Sequence, residues 1–598
     1  MLTEAGPASA SGARGLLGCK GAGRSAQGRL ADWAAKRGGE PELCDAGITL
    51  WRFGAPAGGL TRFGDGPLRG WLLGDLFAPS PGAPAAQPAD VYRRLGHDWI
   101  WQQQGQLALV LWDAERRELA LYRDGSSARG LYYHRRADGA LVFSDCLDLL
   151  VHCPLVPRRL SPAGLHEYLR FLDISSPNTI YDAVFSTEPD QLCLHGRHGL
   201  HQRERPQVQT QGEADTAGGG LDAAATLLDT RLEAAVRTRI GDRGPIVSFL
   251  SGGVDSAYLC ALAAAAVGEP GRVHALTVGF AEPGLDESPV ARAVAAHLGV
   301  SHRVLRFSHG QYRQAFEALA ESGAYPFADP AAAPSLLAFR EARGLADLAL
   351  DGTGADTLLG VMPARHQRIA VQYAARLPYR LRRPLGRVLS RLPGLRGYRP
   401  LLDFGDAEEM LIRWQGFPRR EIERLCGHPV SLAHTRFYRI FARHAPGAHF
   451  ERYSALLGNL PDDRIHVAAA LTGLRVRFPF FDPAVERCVR AMDRPLRYAD
   501  GEHKRVLRHA LARRIPRQIW NGPKHGFDFP FDALLARDDY ALVRGHARGE
   551  NLRRLGCART ADVEAMIGAY LRGERSARFR VWALTVLTAW LEGHDVAA

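Results

Sequence analysis

Ser251-Gly252-Gly253-Val254-Asp255-Ser256 is the stretch of this chain whose residue types and spacing could do chemistry. Two adjacent glycines let the backbone turn tightly and approach an anion. Ser251 and Ser256 supply hydroxyls, and a helix opening behind them would add unpaired amides and the positive end of its dipole. Together these make a pyrophosphate cradle. Asp255 inside it would repel a phosphate unless a divalent cation stood between them, so the hexamer implies ATP held through Mg²⁺. It is not the Walker loop, which needs Lys-Ser/Thr after its second glycine. The bland alternative is an ordinary Ser/Gly turn between a strand and a helix. A second acidic, glycine-bearing segment, Asp351-Gly352-Thr353-Gly354-Ala355-Asp356, follows another apolar run.

The flanking sequence says how such residues would be positioned. Pro245–Leu250 reads as a buried parallel strand and Ala257–Ala266 as the helix after it. Strands are expected at 272–280, 302–307 and 346–350, with a helix over 288–298, the alternation of a parallel sheet. Both glycine-bearing segments then lie at carboxyl ends of strands, where such sheets bind ligands. The first 200 residues alternate short apolar stretches with turns. Strands are expected at 106–112, 118–123, 131–134 and 140–144. A Pro/Ala/Gly-rich insert occupies 78–89 and reads as a loop. Residues 204–222, with three consecutive glycines and little apolar content, read as a linker. The expected organisation is a domain over 1–203, that linker, and a second domain over 223–598.

At 598 residues the chain exceeds what one core supports, and 46% hydrophobic with 23% charged residues is ordinary globular composition. No apolar run is long enough to span a bilayer. The N-terminal residues carry an early acid and no secretory h-region, so a cytoplasmic location is expected. Nine cysteines fall without a close pair or His/Cys ligand spacing, an argument against a zinc site or disulfide framework. A net charge of +12 and pI of 9.4 could announce nucleic acid. Most arginines are interleaved with acids, however, and no nucleic-acid partner is expected.

Residues 373–400 depart from that interleaving. Arg376, Arg380, Arg382, Arg383, Arg387, Arg391, Arg396 and Arg399 occur there with no acid among them. Leu377, Leu381, Leu385, Val388, Leu389 and Leu392 give an apolar face at helical spacing. Four readings stay open: an arm packed on the main domain with a solvated basic face, a dock for an acidic peptide, contact with anionic lipid, and, last because aromatics for base stacking are sparse there, nucleic acid.

The hexamer resembles the PP-loop of ATP pyrophosphatases, and the chain as a whole resembles the asparagine synthetase family. The N-terminal half is similar to its class II amidotransferase domain in Gly105–Asp113, Leu121–Asp124, Leu131–Tyr133, Leu160–Leu169 and Pro177–Tyr181. The C-terminal half carries the PP-loop, Gly352–Asp356, Arg475–Asp482, Gly501–Lys504 and Pro523–Phe527 in the family's order. The resemblance implies a fold of α/β and α+β class: a degenerate, Ntn-type β-rich sandwich followed by a parallel-sheet α/β PP-loop domain with a helical C-terminal part. It implies that Asp255 and Asp356 hold Mg²⁺, and that Ser251, Gly252, Gly253 and Ser256 cradle pyrophosphate. Leu250, Val278 and Gly352 would then hold adenine and ribose. Lys504 would stabilise charge as the acyl centre reacts, and Lys524 would be a second basic group near the phosphates.

Two departures matter. The family's nucleophilic cysteine directly follows the initiator Met and uses its own α-amine as base; here Leu2 stands there, so no glutamine hydrolysis is expected. Asparagine synthetases also place a glutamate between the glycines of Gly-X-Gly-X-Asp, where this chain has Thr353, and a common following glutamate is Thr357. Threonine is no base near neutral pH; Asp351 is the candidate replacement. Loss of both ammonia-handling parts resembles β-lactam synthetases and lasso-peptide macrolactam cyclases, whose attacking amine already belongs to the substrate. The expectation is an AMP-forming carboxylate–amine ligase acting on a precursor peptide, beside a leader-removing protease and a precursor-recognition protein. The alternatives are an ammonia-using asparagine synthetase or related small-molecule amidating enzyme, a tRNA-modifying PP-loop enzyme, and a non-catalytic scaffold.

Overall fold

The computed structural model describes residues 13–45, 47–54, 59–77, 88–126, 130–206, 220–241, 244–282, 284–389, 392, 401–402, 404–411, 416–445, 447–457, 463–522, 529–548, 551, 553, 555 and 559–596. Leu2, most of the 78–89 insert, the centre of the 204–222 linker, the end of the 373–400 arm and Lys524 lie outside them.

Two six-stranded antiparallel sheets form the N-terminal half. One runs Val184–Ser186, Tyr132–Arg135, Leu141–Ser144, Gly15–Lys20, Ile48–Phe53, Glu40–Asp45 across its width. The other runs Gly199–Glu204, Gln191–Gly196, Glu118–Arg123, Gly105–Asp113, Leu68–Leu76, Leu60–Phe63. Strand side chains alternate between faces. Leu16, Leu50, Val110, Trp112, Leu121 and Phe143 therefore meet in a core between the sheets. The next residues along, such as Leu17 and Cys19, turn outward to meet Leu30 and Ala34 of the helix Arg24–Lys36. Tyr92, Trp99 and Ile100 cover the other sheet's outer face. Gly18 is small by necessity, since a Cβ there would sit 2.3 Å from the Phe143 ring.

Five parallel strands form the third sheet, in the order Ser301–Leu305, Val273–Val278, Ile246–Phe249, Leu348–Leu350, Arg475–Arg477. The chain winds outward one way from Ile246–Phe249 and then returns to the other side with Leu348–Leu350. The crevice between those two strands is thus the topological switch point of the sheet. Ile246, Leu348 and Leu350 face the helices Gly220–Ile240, Val254–Val267 and Arg505–Ala512. Val247, Ala349 and Val476 face Ala332–Arg343 and Asp463–Thr472.

The two halves are joined by paired polar groups. Gln106, from the antiparallel sheet, donates to Val476 O at 3.0 Å and accepts from Phe478 N at 3.0 Å, capping the edge strand Arg475–Arg477. Arg477 pairs with Asp75 at 2.6 Å. Tyr168 Oη donates to Ala583 O at 2.8 Å, in the buried C-terminal helix Arg578–Gly593.

The arm does not pack its apolar face on the main domain. The helix Tyr379–Leu389 leaves Leu381, Leu385 and Val388 exposed, in line with Ile369, Tyr373, Leu377 and Leu392. Among the described arginines of the arm, Arg382 turns inward: it is 2% exposed, lies 4.1 Å over the Phe404 ring and donates to Leu377 O. Backbone carbonyls at 377, 402 and 405 satisfy its guanidinium, which is why this basic residue departs from a solvated face.

Candidate active site

Ile246–Phe249 delivers the chain to the switch point, and Ser251–Ser256 folds into a closed polar turn there. Ser251 N donates to Ser256 Oγ at 3.0 Å, the two hydroxyls lie 2.8 Å apart, and Gly253 N donates to Ser251 Oγ at 3.0 Å. The loop is therefore preset, and the helix Val254–Val267 starts with Asp255 in its first turn. Gly252 N donates to Glu287 Oε2 at 3.1 Å, and a Cβ on Gly252 would come 3.2 Å from Glu287 Cβ. Glu287, which the sequence reading missed, precedes the helix Ser288–Leu298. Nothing local in its sequence marks it as a partner of the loop.

Asp356 arrives from the neighbouring strand. After Leu348–Leu350, Gly354 takes a φ of +98° and the short helix Ala355–Leu359 begins. Gly352 lies against the PP-loop helix, where a Cβ would come 3.3 Å from Asp255 Cβ. Lys504 reaches both acids: its ammonium contacts Asp255 Oδ2 and lies 2.7 Å from Asp356 Oδ1. Burial works against that ammonium, but Asp255 and then Asp356 outweigh it and raise its pKa above the ordinary lysine value. Two carboxylates from different strands thus converge on one cation position. Hard oxygen donors in that arrangement fit Mg²⁺, which Asp255 and Asp356 would hold.

Residues 227–592 match the asparagine synthase family, and residues 89–204 match a glutamine amidotransferase domain. The chain belongs to the asparagine synthase family. It is 27% identical over 530 residues to a Mycobacterium tuberculosis protein described as a glutamine-hydrolysing asparagine synthetase, covering 83% of this chain and 78% of that one. It is 25% identical over 471 residues to asparagine synthetase [glutamine-hydrolyzing] 1 of Bacillus subtilis, covering 76% and 72%. Amidase chry2 of Gibberella zeae aligns over 244 residues at 25% identity, covering 38% of this chain and 35% of that protein. A solved allosteric regulatory enzyme of purine biosynthesis overlaps 48% of this chain and 80% of its own at 12% identity and a TM-score of 0.21.

As a member of the asparagine synthase family the protein is a carbon–nitrogen ligase of an ATP-dependent amidation family. The residues expected to hold the nucleotide sit together. Leu250 is buried, its carbonyl accepting from Thr277 Oγ1 at 2.6 Å, and Val278 ends the adjacent strand. Leu250, Val278, Gly352 and Asp356 line one cavity of about 2250 Å³ with Ser251, Gly253, Asp255 and Ser256. Asp351 and Thr353 line it too. Asp351 Oδ1 accepts from Thr353 N at 2.8 Å and from Thr353 Oγ1 at 2.5 Å, a carboxylate–hydroxyl pair that closes the turn. The same cavity extends to Arg123, Ser176 and Arg436 of the domain boundary. Arg436 donates to Ser176 Oγ at 3.1 Å, and burial pushes its pKa down to about 10. Burial also pushes the thiols of the N-terminal half up: Cys19 to about 11, and Cys146, Cys153 and Cys193 to about 12. None of those four is an activated nucleophile. Among the described residues no helix is long and apolar enough to cross a membrane.

Proposed function

We propose that this family member forms an amide within one substrate: it adenylates a side-chain carboxylate of a precursor peptide, which the peptide's own N-terminal amine then attacks. The carboxylate oxygen bonds to the α-phosphorus of ATP as pyrophosphate leaves. The amine then bonds to the acyl carbon, AMP leaves with the C–O electrons, and the amine proton passes to a base. The observation that carries the adenylation half is the Lys504 ammonium held between Asp255 and Asp356 beside the PP-loop. Ser251, Gly252, Gly253 and Ser256 bind the pyrophosphate. Mg²⁺ on Asp255 and Asp356 would supply charge neutralisation, and Lys504, and Lys524 outside the described residues, would meet charge developing on the reacting groups.

The choice of an internal amine is supported by three features. Thr353 stands where ammonia-handling relatives carry glutamate, and Asp351, whose Oδ1 accepts from the Thr353 hydroxyl, is the neighbouring carboxylate that would take the proton. The buried thiols of the amidotransferase-like half are held protonated. The cavity, at about 2250 Å³, is larger than the roughly 300–1,000 Å³ that a small molecule needs. A leader-removing protease and a precursor-recognition protein would supply such a substrate.

Similarity to proteins described as asparagine synthetases favours a second reading, in which free ammonia converts aspartate to asparagine. Pyrophosphate release from ATP-Mg²⁺ separates the two. Release with an acidic precursor peptide alone, and a product lighter by one water, establishes the cyclase. Release with aspartate plus ammonia and none with peptide overturns it. Asp255→Ala should abolish either signal.

A further inference from the structure

Away from the nucleotide site, the fold assembles a cluster that the spacing of cysteines and histidines does not announce. His166 lies on the helix Pro162–Phe171 of the N-terminal half and is 7% exposed. Facing it is the end of the helix Arg419–Cys426. Gly427 takes a φ of +76° and donates to Glu423 O at 2.9 Å, so the chain reverses and brings His428 back beside Cys426. One ligand atom from each of His166, Cys426 and His428 can be chosen such that all lie within 4.8 Å of one another. The two imidazole rings are 5.5 Å apart, centroid to centroid.

We propose that His166, Cys426 and His428 form a Zn²⁺ site that staples the N-terminal half to the C-terminal half of the chain. Two imidazoles and one thiolate are a donor set for a borderline-soft, tetrahedral ion. Zinc bonds of about 2.3 Å to sulfur and 2.0–2.1 Å to nitrogen place ligand atoms roughly 3.3–3.8 Å apart. The observed spacing closes to that by about an ångström of side-chain rotation, and His428 is exposed and can make the movement. His428 Nδ1 lies 3.1 Å from Pro429 O, an outer contact that leaves Nε2 as the donor. The fourth position of the tetrahedron falls to water.

A buried imidazole, a half-buried thiol and an exposed imidazole from the two halves of the chain thus face one another. This site is independent of the adenylation reading, since it shares no residue with the nucleotide cavity.

The test uses the full chain freed of metal by chelator and gel filtration, then loaded with Co²⁺ or Zn²⁺. One equivalent of Co²⁺ should give a thiolate-to-cobalt charge-transfer band with tetrahedral d–d bands, and Zn²⁺ should displace both. His428→Gln, at an exposed ring and so compatible with folding, should weaken binding at least tenfold. Cys426→Ser should lose the charge-transfer band. Zinc should raise the unfolding temperature of the parent chain and not of His428→Gln. A cobalt spectrum without a thiolate band, or zinc retention equal in parent, His428→Gln and Cys426→Ser, overturns the proposal.

Discussion

Replacing Lys504 by methionine should destabilise the chain in chelator and make its stability depend on magnesium. Lys504 is 7% exposed in its side chain and carries the cation between Asp255 and Asp356. Two carboxylate oxygens bonded to one nitrogen are held roughly 4–5 Å apart. At an effective dielectric of about 20, their repulsion without the ammonium is about 3 kcal/mol. Removing one partner of a buried pair costs about 3–5 kcal/mol. Asp255 and Asp356 keep 23% and 45% side-chain exposure, which favours the lower end. At about 2.1 cal/mol/K of unfolding entropy per residue, 598 residues make each 1 kcal/mol worth about 0.8 °C in Tm, so a fall of roughly 2–3 °C is expected. Magnesium without nucleotide should restore most of it, because the divalent ion replaces the missing charge. The parent should respond little, its own ammonium already occupying the position. The raised pKa of Lys504 keeps its contribution whole below the ordinary lysine value of about 10.4 and loses it only as pH climbs through the folded value, so the parent's response is flat near neutrality. Pyrophosphate release should fall by about 10²–10³ as for loss of one charge-stabilising donor. Scanning calorimetry in chelator and in magnesium, beside a pyrophosphate assay, reads both effects. An unchanged Tm in chelator, or no magnesium rescue, would refute the clamp.

Gln106→Leu removes the bonds to Val476 O and Phe478 N, leaving both backbone groups buried and unsatisfied; the expected loss is about 2–4 kcal/mol in urea unfolding. Glu167 is enclosed, bonded to Ser175 and Asn178, and burial pushes its pKa up to about 7. The folded chain therefore holds a proton that the unfolded chain has released, and stability should fall as pH rises from about 4.5 to 7 and level off above. Glu167→Gln should flatten that slope in urea titrations at stepped pH; parallel profiles would place the effect elsewhere. Leu381→Lys with Leu385→Lys, on the exposed face of the arm, should leave stability within about 0.5 kcal/mol, and a larger loss would mean that the face is covered.

The parts of the site that sequence made legible are those written in one strand–turn–helix. Gly252, Gly253 and Asp255 declare their role because a cradle, a dipole and a metal ligand all lie within six residues, and the apolar run before them can only be a buried strand. The helix at 288–298 was equally plain, its N-terminal Ser-Pro and C-terminal Gly299 bounding it at the observed positions. Glu287 was not, because its acceptor role exists only once that helix is laid beside the PP-loop. Gln106 looked like one more strand residue, and its amide pairing with residues 476 and 478 is a consequence of how two sheets dock. His166, Cys426 and His428 fail every spacing rule because two of the three come from one turn and the third from the other half of the chain. The arm misled in the opposite sense: helical spacing of leucines announces an apolar face and says nothing of whether anything covers it.

Lys504 shows why the clamp is better understood as a built device than as a convenient ion pair. Its backbone sits in the left-handed region at φ +56°, following Asp500 at +53° and Gly501 at +82° in the turn between Tyr498–Ala499 and Glu502–His503. A non-glycine residue there costs about 1–2 kcal/mol, so the surrounding structure must impose it. It does so from both sides: the two-stranded hairpin fixes the approach, and the helix Arg505–Ala512 buries Val506, Leu507, Ala510 and Leu511 directly behind. With its backbone anchored twice, the lysine can meet Asp255 and Asp356 only along one direction. The ammonium is thus held in place by its own anchored backbone and by two carboxylates. On the same strand-end turn as Asp356, Thr353 offers a hydroxyl tied to Asp351. The cation position between Asp255 and Asp356 is thus over-determined by the fold.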